Sequence, residues 1–187
     1  MRKIPTLLDL YEAIQPYVIY CDMDGVLCDF DQGYKDLTGE STDEANAKGK
    51  SYFWKLFRES VGKNEKDFWA TLPWQPGGKE LWNYIQQYSP NILSAPTIDF
   101  SLPQDQQLNP EFNQAIQGKK IWIASNLSNV SEEIFVPASQ KSSFATAKHI
   151  LIDDMLKNTE SWKAAGGKAI LHKSTSQTIE ILKKYNL

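Results

Sequence analysis

The sequence lacks several features that would assign it to whole classes of protein. Its 187 residues contain no run of basic side chains, and 20 Lys and Arg against 23 Asp and Glu give a net charge of −3. This balance argues against a groove for a long nucleic acid, whereas a small anionic partner remains compatible with it. No apolar stretch reaches the roughly 18 residues that a membrane-spanning helix needs. We therefore expect neither a long nucleic acid nor a membrane as partner.

Cysteine is also scarce, with only Cys21 and Cys28 in the chain. A disulfide between them would tie a predicted strand end to its own loop, so we expect both to be reduced and buried, in a reducing compartment. The first residues, 1–5, are followed by Asp9 and Glu12, a pattern unlike that of a signal peptide. We expect a cytoplasmic protein. Its length and its 41% of apolar residues suit one α/β domain with a small insertion.

The most informative stretch is an apolar run from Tyr17 that leads directly into Asp22, Asp24 and Gly25. The run predicts a buried strand and the glycine a turn, so both carboxylates come at the carboxyl end of the strand, where open α/β sheets bind ligands. A surface turn is the alternative, although the apolar character continues after Gly25. Two close carboxylates repel each other unless a cation lies between them or one holds a proton. Mg²⁺ with a phosphorylated substrate fits this pair.

Strand-like and helix-like patterns alternate along the rest of the chain. We predict helices over 5–15 and around 81–88, one that Asn158 or Thr159 caps, and a last one that Ser174 caps. The segment 117–127 fits either a strand or a crossover helix, and 96–113 predicts a loop. The alternation predicts a Rossmann-like parallel sheet flanked by helices, whose strands we place at 17–21, 91–94, 133–136, 149–152 and 168–172.

Residues 31–72 differ in character from the remainder, because they contain no strand-like run and are rich in aromatic residues between Tyr52 and Trp69. We predict a small helical cap inserted after the first strand, with 1–30 and 73–187 as the core domain. Two roles for the aromatic residues remain open. They form the core of the cap, since a small unit needs large side chains to bury enough surface, or some of them stack on a flat ligand such as a base.

Polar groups follow several of the predicted strands, and their order along the chain is what makes them specific. Taken singly, each is ordinary: a turn serine, a solvated lysine or a helix-capping aspartate. A receiver domain uses similar residue types, but its acid pair comes first, whereas here an acid pair comes last and an insertion follows the first motif. The groups are Asp22 with Asp24, then Ser94, Lys141, and Asp153 with Asp154.

This order of motifs resembles that of the haloacid dehalogenase superfamily of phosphohydrolases, and within it the 5'(3')-deoxyribonucleotidase family. The resemblance covers essentially the whole chain and implies the same Rossmann-like fold. It also favours a helix for 119–127 with Trp122 buried. The matching stretches are Asp22–Phe30, Phe68–Gly78, Ile134–Lys141 and Leu151–Asp154.

The resemblance implies a role for each motif residue. Asp22 would be the nucleophile that forms an aspartyl-phosphate, and Asp24 the general acid and then the base, with its backbone carbonyl on the metal. Ser94 and Lys141 would hold the phosphoryl oxygens. Phe30 would line the pocket for a base.

The same resemblance implies a Mg²⁺ site made by Asp22 and Asp24 together with Asp153 and Asp154, one of the last two binding directly and the other through water. The chain departs from the family after the second strand. It has Ser94-Ala95-Pro96 where the family has Thr-Ser-Pro, and it lacks a basic residue at 97–99. These departures concern the substrate rather than the phosphoryl chemistry.

We therefore expect a Mg²⁺-dependent hydrolase of phosphomonoesters, with a nucleoside monophosphate as substrate. A phosphatase of another small metabolite, such as a sugar phosphate, is the alternative within the same class. A non-catalytic binding module of the same fold is the alternative from another class. The acid two residues after Asp22 argues against it, because a binding module has no need of one.

Overall fold

The computed structural model of the chain describes residues 16–97, 103–111 and 113–187. Five strands form one sheet in the order β3-β2-β1-β4-β5, and all neighbouring pairs are parallel. The predicted α/β fold is confirmed. The strands are β1 (Val18–Cys21), β2 (Asn91–Ser94), β3 (Glu133–Phe135), β4 (His149–Asp153) and β5 (Lys168–Leu171).

Helices connect these strands and cover the sheet. Two 3₁₀ segments, Gln86–Tyr88 and Ala138–Phe144, accompany them. None of the described helices is long and apolar enough to cross a membrane. In chain order the α-helices of the described residues are α1 (Phe30–Thr38), α2 (Thr42–Ala47), α3 (Lys50–Val61), α4 (Glu65–Ala70), α5 (Gly78–Ile85), α6 (Gln114–Asn126), α7 (Leu156–Ala164) and α8 (Thr175–Lys183).

Both faces of the sheet are buried, which explains why its strands read as continuous apolar runs. Side chains alternate between the faces, so Ile19 and Ile150 join one core cluster while Tyr20 and Leu151 join another with Trp162. The central position of β1, between β2 and β4, places the end of the Asp22 strand in the middle of the sheet edge.

The segment predicted as a helical cap consists of α1 to α4, and aromatic rings fill the space between these helices. The rings of Tyr34 and Phe53 stack at 4.4 Å, and those of Phe30 and Trp69 at 5.4 Å. Phe57 is fully buried among them. The aromatic residues thus form a core, as a small unit requires. The division of the chain at 31–72 stays a prediction.

Other element predictions have mixed outcomes. The ambiguous segment 117–127 belongs to α6, which begins earlier because the Asn113 side chain accepts a hydrogen bond from Ile116 N at 3.0 Å. The prediction that Asn158 or Thr159 caps the next helix is wrong. Helix α7 begins at Leu156, and the Asn158 amide donates to an aspartate instead.

The remaining predictions concern loops and cysteines. Both cysteines are free and buried, as expected. The described part of the predicted loop 96–113 contains turns and no helix or strand. The helix predicted over 5–15 lies outside the described residues.

Gly118 allows α4 and α6 to pack in close contact. A Cβ at this position would collide with the carbonyl oxygen of Lys66 and come within 2.6 Å of the Trp69 Cβ. Neither atom belongs to a flexible chain end, so the helices would have to separate. This close packing sets the distance between Trp69 and Lys119, the residue after Gly118.

We predict that Gly118→Ala lowers the free energy of unfolding by about 1–3 kcal/mol, the usual cost of overpacking. Urea denaturation measures this change. Ser125→Ala, at an exposed position of the same helix, serves as control and should change stability by less than about 0.5 kcal/mol. Equal stability of the two variants would show that α4 and α6 tolerate a wider separation.

Candidate active site

The carboxyl ends of β1, β2 and β4 bring polar residues together at one edge of the sheet. Asp22 follows β1 directly, while Ser94 and Asp153 are the last residues of β2 and β4. Because the strands are parallel and adjacent, these ends meet, as the sequence predicts. All three side chains are buried.

A tight turn after β1 returns the chain over this edge. The carbonyl of Met23 accepts hydrogen bonds from Leu27 N at 2.7 Å and Cys28 N at 2.8 Å, and Gly25 lies inside the turn with φ +74°. A Cβ on Gly25 would collide with the carboxylate of Asp154. Only glycine fits here, both for its backbone conformation and for the closeness of that carboxylate.

Lys141 provides the positive charge at the centre of the site. It lies in the 3₁₀ segment Ala138–Phe144, is 1% exposed, and its Nζ is 2.7 Å from Asp22 Oδ2 and 2.8 Å from Asp153 Oδ2. Burial alone would lower the pKa of Lys141, but the two carboxylates raise it above its ordinary value. Lys141 is therefore charged at neutral pH and partly offsets the negative charge of the site.

Asp153 and Asp154 have different surroundings. The oxygens of Asp153 accept hydrogen bonds from Lys141, from Met155 N at 2.9 Å and from Asn158 at 3.0 Å, whereas Asp154 lines the open cleft. Burial and the negative charge of Asp22 raise the pKa of Asp153 to about 6, although Lys141 opposes this. Burial, Asp22 and Asp153 raise the pKa of Asp154 to about 7.

Three of these carboxylates form a group that fits a cation. Asp22, Asp153 and Asp154 each offer an oxygen, and these oxygens lie within 4.8 Å of one another. Burial and the neighbouring negative charges raise the pKa values of Asp153 and Asp154, which is the behaviour expected of a site that a divalent cation would relieve. Oxygen ligands of this kind suit a hard cation such as Mg²⁺.

Asp24 has a different cationic partner, Lys119 on α6. The Lys119 ammonium lies 2.6 Å from Asp24 Oδ2, and it donates to Ser94 Oγ at 2.8 Å and to the carbonyl of Ala95 at 3.0 Å. It also sits 4.5 Å above the ring of Trp69. The four contacts account for a lysine that is completely buried.

The sequence interpretation did not identify Lys119 as a site residue. A signal exists, because Ile116, Lys119 and Ile123 share one face of α6 at i, i+3 and i+7, so that a lysine stands at a core position. Such a lysine is buried only if it has partners. Those partners come from the turn after β1, from the end of β2 and from α4, which no local pattern connects to α6.

Two further predicted residues lie at different depths. Ser94 is fully buried and its Oγ accepts from Lys119, so its side chain lies behind the cleft rather than on its wall. Its contact with phosphate stays a prediction. Phe30 is half-buried, packs on the aromatic core of α1 to α4, and also lines the cleft.

Two neighbouring spaces lie at the site, and both are lined by Asp24, Phe30 and Ala95. A cleft of about 840 Å³ is lined by Asp22, Asp24, Lys141 and Asp154. A side pocket of about 320 Å³ also reaches Asp24. Asp24 therefore lines both spaces. We define the side pocket by its lining residues, which are Asp24, Phe30, Trp54, Arg58, Trp69, Ala95, Pro96 and Thr97.

No protein-family model matches the chain, and no curated protein matches it significantly. Similar solved structures include a hydrolase from Streptococcus pneumoniae, 17% identical with a TM-score of 0.49, which covers 90% of this chain and 100% of that chain. A haloacid dehalogenase (HAD) family enzyme from Bacteroides thetaiotaomicron, in complex with magnesium and inorganic phosphate, is 13% identical with a TM-score of 0.46, covering 86% of this chain and 96% of that chain.

A HAD-superfamily hydrolase of subfamily IA from Geobacter sulfurreducens is also similar, at 12% identity and a TM-score of 0.49, covering 89% of this chain and 96% of that chain. The structural neighbours are thus HAD-superfamily hydrolases. The resemblance to the 5'(3')-deoxyribonucleotidase family stays a prediction. Likenesses with TM-scores below 0.5 do not establish the activity of this chain.

We predict that Lys119→Met raises the pKa of Asp24, because the variant removes a positive charge in contact with that carboxylate and leaves its burial unchanged. A ¹³C NMR titration of the Asp24 carboxyl group measures this shift. The variant should also lose about 1–3 kcal/mol of unfolding free energy, because Ser94 Oγ and the carbonyl oxygen of Ala95 lose the hydrogen bonds that Lys119 donates to them. Lys120→Met, which removes an exposed neighbour 3.9 Å from Glu133, is the matched control. An unshifted Asp24 in Lys119→Met would refute the pairing.

We predict that stability depends on pH and Mg²⁺ together. Because the pKa values of Asp153 and Asp154 are raised to about 6 and about 7 in the folded chain, the folded state holds protons that the unfolded state has already released. Their contribution to stability therefore falls as pH rises from about 4 to about 7.

Mg²⁺ binds the deprotonated carboxylates, so it should raise the melting temperature more at pH 8 than at pH 5. Stabilisation by Mg²⁺ is about 2.7 kcal/mol at one hundred times its dissociation constant. Calorimetry with EDTA or Mg²⁺ measures both effects, and Asp154→Asn should weaken both. A Mg²⁺ effect that is equal at the two pH values would contradict the assignment.

Proposed function

We propose that the chain is a Mg²⁺-dependent phosphomonoester hydrolase that acts through an aspartyl-phosphate and takes nucleoside monophosphates as substrates. The observation that carries the proposal is the fixed position of Asp22. Its Oδ1 accepts from Met23 N at 2.8 Å, and its Oδ2 contacts Lys141 at 2.7 Å. The carboxylate is thus held in one orientation at the wall of the cleft.

Asp22 is the nucleophile in this proposal. A phosphomonoester is an anion that repels an attacking carboxylate, and Lys141 reduces that repulsion. Attack by an Asp22 oxygen forms a bond to phosphorus while the bond to the leaving oxygen breaks, which gives the aspartyl-phosphate and the alcohol. Water then attacks phosphorus, the bond to Asp22 breaks, and inorganic phosphate leaves.

Asp24 is the proton donor and acceptor for these two steps. Burial raises the pKa of Asp24 against the opposing charge of Lys119, and the negative charge of Asp22 raises it as well, so Asp24 holds a proton more readily than a solvated aspartate. Lys119 donates a hydrogen bond to Asp24 Oδ2. Asp24 Oδ1 is buried and has no hydrogen-bond partner among the described residues. Oδ1 is the oxygen that gives its proton to the leaving group and later takes one from water.

Mg²⁺ would be held by Asp22, Asp154 and the backbone carbonyl of Asp24, with Asp153 acting through water. The hydrogen bonds that Asp153 already accepts from Lys141, Met155 and Asn158 support this division, because they leave its oxygens engaged. When bound, the ion supplies positive charge that neutralises the phosphoryl oxygens and the carboxylates around them.

The side pocket supports a nucleoside as the leaving group. The half-buried rings of Phe30 and Trp54 give it aromatic walls, and it adjoins Asp24, which protonates the leaving oxygen. Its volume of about 320 Å³ lies in the range of small-molecule sites. Bases stack on aromatic faces with about 1–3 kcal/mol each, whereas a sugar requires hydrogen-bonding side chains.

A sugar phosphate is the second candidate, and the larger cleft favours it. Polar and acidic side chains also line that cleft, among them Asp31, Glu80, Ser174 and Ser176. These groups suit the hydroxyls of a sugar better than the faces of a base.

A substrate panel with a variant of Asp22 tests the proposal. Wild type with Mg²⁺ should hydrolyse nucleoside 5'- or 3'-monophosphates with higher kcat/KM than sugar phosphates, and excess EDTA should abolish turnover. Asp22→Asn should lower kcat by at least about a thousandfold without loss of fold, because an amide does not attack phosphorus. Asp43→Asn, on the exposed surface of α2, is the control.

Turnover by Asp22→Asn within about tenfold of wild type, in a preparation free of deamidation, would overturn the nucleophile assignment. Full activity in EDTA would overturn the metal site. Preference for sugar phosphates would leave the phosphoryl chemistry in place and move the substrate to the second candidate.

A further inference from the structure

The side chain of Asn158 holds a carboxylate of the site, although it is itself neither an acid nor a base. Its Nδ2 donates to both oxygens of Asp153, at 3.0 Å each. Asn158 belongs to the first turn of α7, which begins at Leu156 without a side-chain cap, so its amide is not engaged in capping that helix. It is half-buried and lines the cleft, whereas Met155, Leu156 and Lys157 before it are exposed.

This amide restricts the rotation of the Asp153 carboxylate. Lys141 donates to Oδ2 and Met155 N donates to Oδ1, so each of these two donors holds one oxygen. The Asn158 nitrogen is equally distant from both oxygens, and rotation about the Cβ–Cγ bond of Asp153 would break at least one of its hydrogen bonds. Lys141 also divides its ammonium between Asp153 and Asp22, whereas both hydrogen bonds of the Asn158 nitrogen go to Asp153.

An amide also leaves the charge of the site unchanged. When ionised, Asp22, Asp153 and Asp154 gather three negative charges with oxygens within 4.8 Å of one another, and Lys141 offsets one of them. A second cationic side chain beside Asp153 would weaken the attraction of the site for a metal ion, because it would offset more of this negative charge. The neutral side chain of Asn158 satisfies both oxygens of Asp153 and preserves that attraction.

We propose that Asn158 is a positioning residue of the Mg²⁺ site; this inference rests on the metal site of the proposed function. By holding Asp153, it keeps one oxygen of that carboxylate in the group with Asp22 and Asp154. Partners that hydrogen-bond a carboxylate of a metal site, rather than the ion, contribute about ten- to a hundredfold to metal affinity. Asn158 acts on the ion only through Asp153, so its contribution should vanish when Asp153 is changed.

Titration calorimetry of Mg²⁺ into the substrate-free protein at pH 8 tests this inference without a measurement of activity. Asn158→Leu, which has a similar size and no donor, should raise the dissociation constant for Mg²⁺ by about tenfold or more. Asn158→Ala should raise it as well, and it serves in place of the leucine variant if that variant does not fold. Ser161→Leu, at an exposed position of α7, is the control and should keep the wild-type constant. Circular dichroism in EDTA verifies that each variant is folded.

A double-mutant cycle separates positioning from a general loosening of α7. In the Asp153→Asn background, Asn158→Leu should leave the dissociation constant for Mg²⁺ within about twofold, because the carboxylate that Asn158 holds is gone. A purely structural effect on α7 would be as large in that background as in the wild type.

The outcomes distinguish this inference from the proposed function. A dissociation constant within about twofold of wild type in both Asn158 variants, or an equal effect in the Asp153→Asn background, would overturn the role of Asn158 while the proposed hydrolase stands. A wild type that binds Mg²⁺ but hydrolyses no phosphomonoester would overturn the proposed activity, and the calorimetry would still decide the role of Asn158. A substrate-free wild type that binds no Mg²⁺ would overturn the inference.

Discussion

The contact of one buried lysine with two carboxylates is the interaction on which the site depends. Lys141 joins Asp22, from the central strand, to Asp153, from the neighbouring strand. Buried charges are tolerated only when they are paired and hydrogen-bonded, and removal of one partner leaves the others uncompensated. The sheet edge, the 3₁₀ segment and the orientation of Asp22, the proposed nucleophile, are therefore held by one group. The same arrangement leaves an excess of negative charge, which the proposed Mg²⁺ would balance.

Much of this arrangement could be predicted from the sequence because it depends on local patterns. Apolar runs that end in acids predict β1 and β4, and parallel strands place their ends at one edge. Lys119 could not be predicted in this way. Its burial depends on the contact that Gly118 allows between α4 and α6, and its partners lie on other elements. The start of α7 was misplaced for a similar reason, since Asn158 hydrogen-bonds across to Asp153.

The aromatic residues of the predicted cap show that the two roles considered for them are compatible. Phe57 lies inside the aromatic core, whereas Trp54 is half-buried and lines the side pocket. Phe30 and Trp69 belong to both, because each packs on other rings and also lines the pocket. A small unit that buries aromatic rings to be stable thereby leaves two half-buried rings, those of Phe30 and Trp54, at the wall of the pocket.

The position of Lys119 between Trp69 and Asp24 bears on how substrate preference can change during evolution. A substitution of Trp69 alters a pocket wall and also a contact of Lys119, which pairs with Asp24, the proposed proton donor. New selectivity gained there would carry a penalty in turnover. Trp54 and Arg58 lie on α3 and have no contact of this kind with Lys119 among the described residues. Substitutions on helix α3 can thus change the substrate while the contact between Lys119 and Asp24 stays as it is.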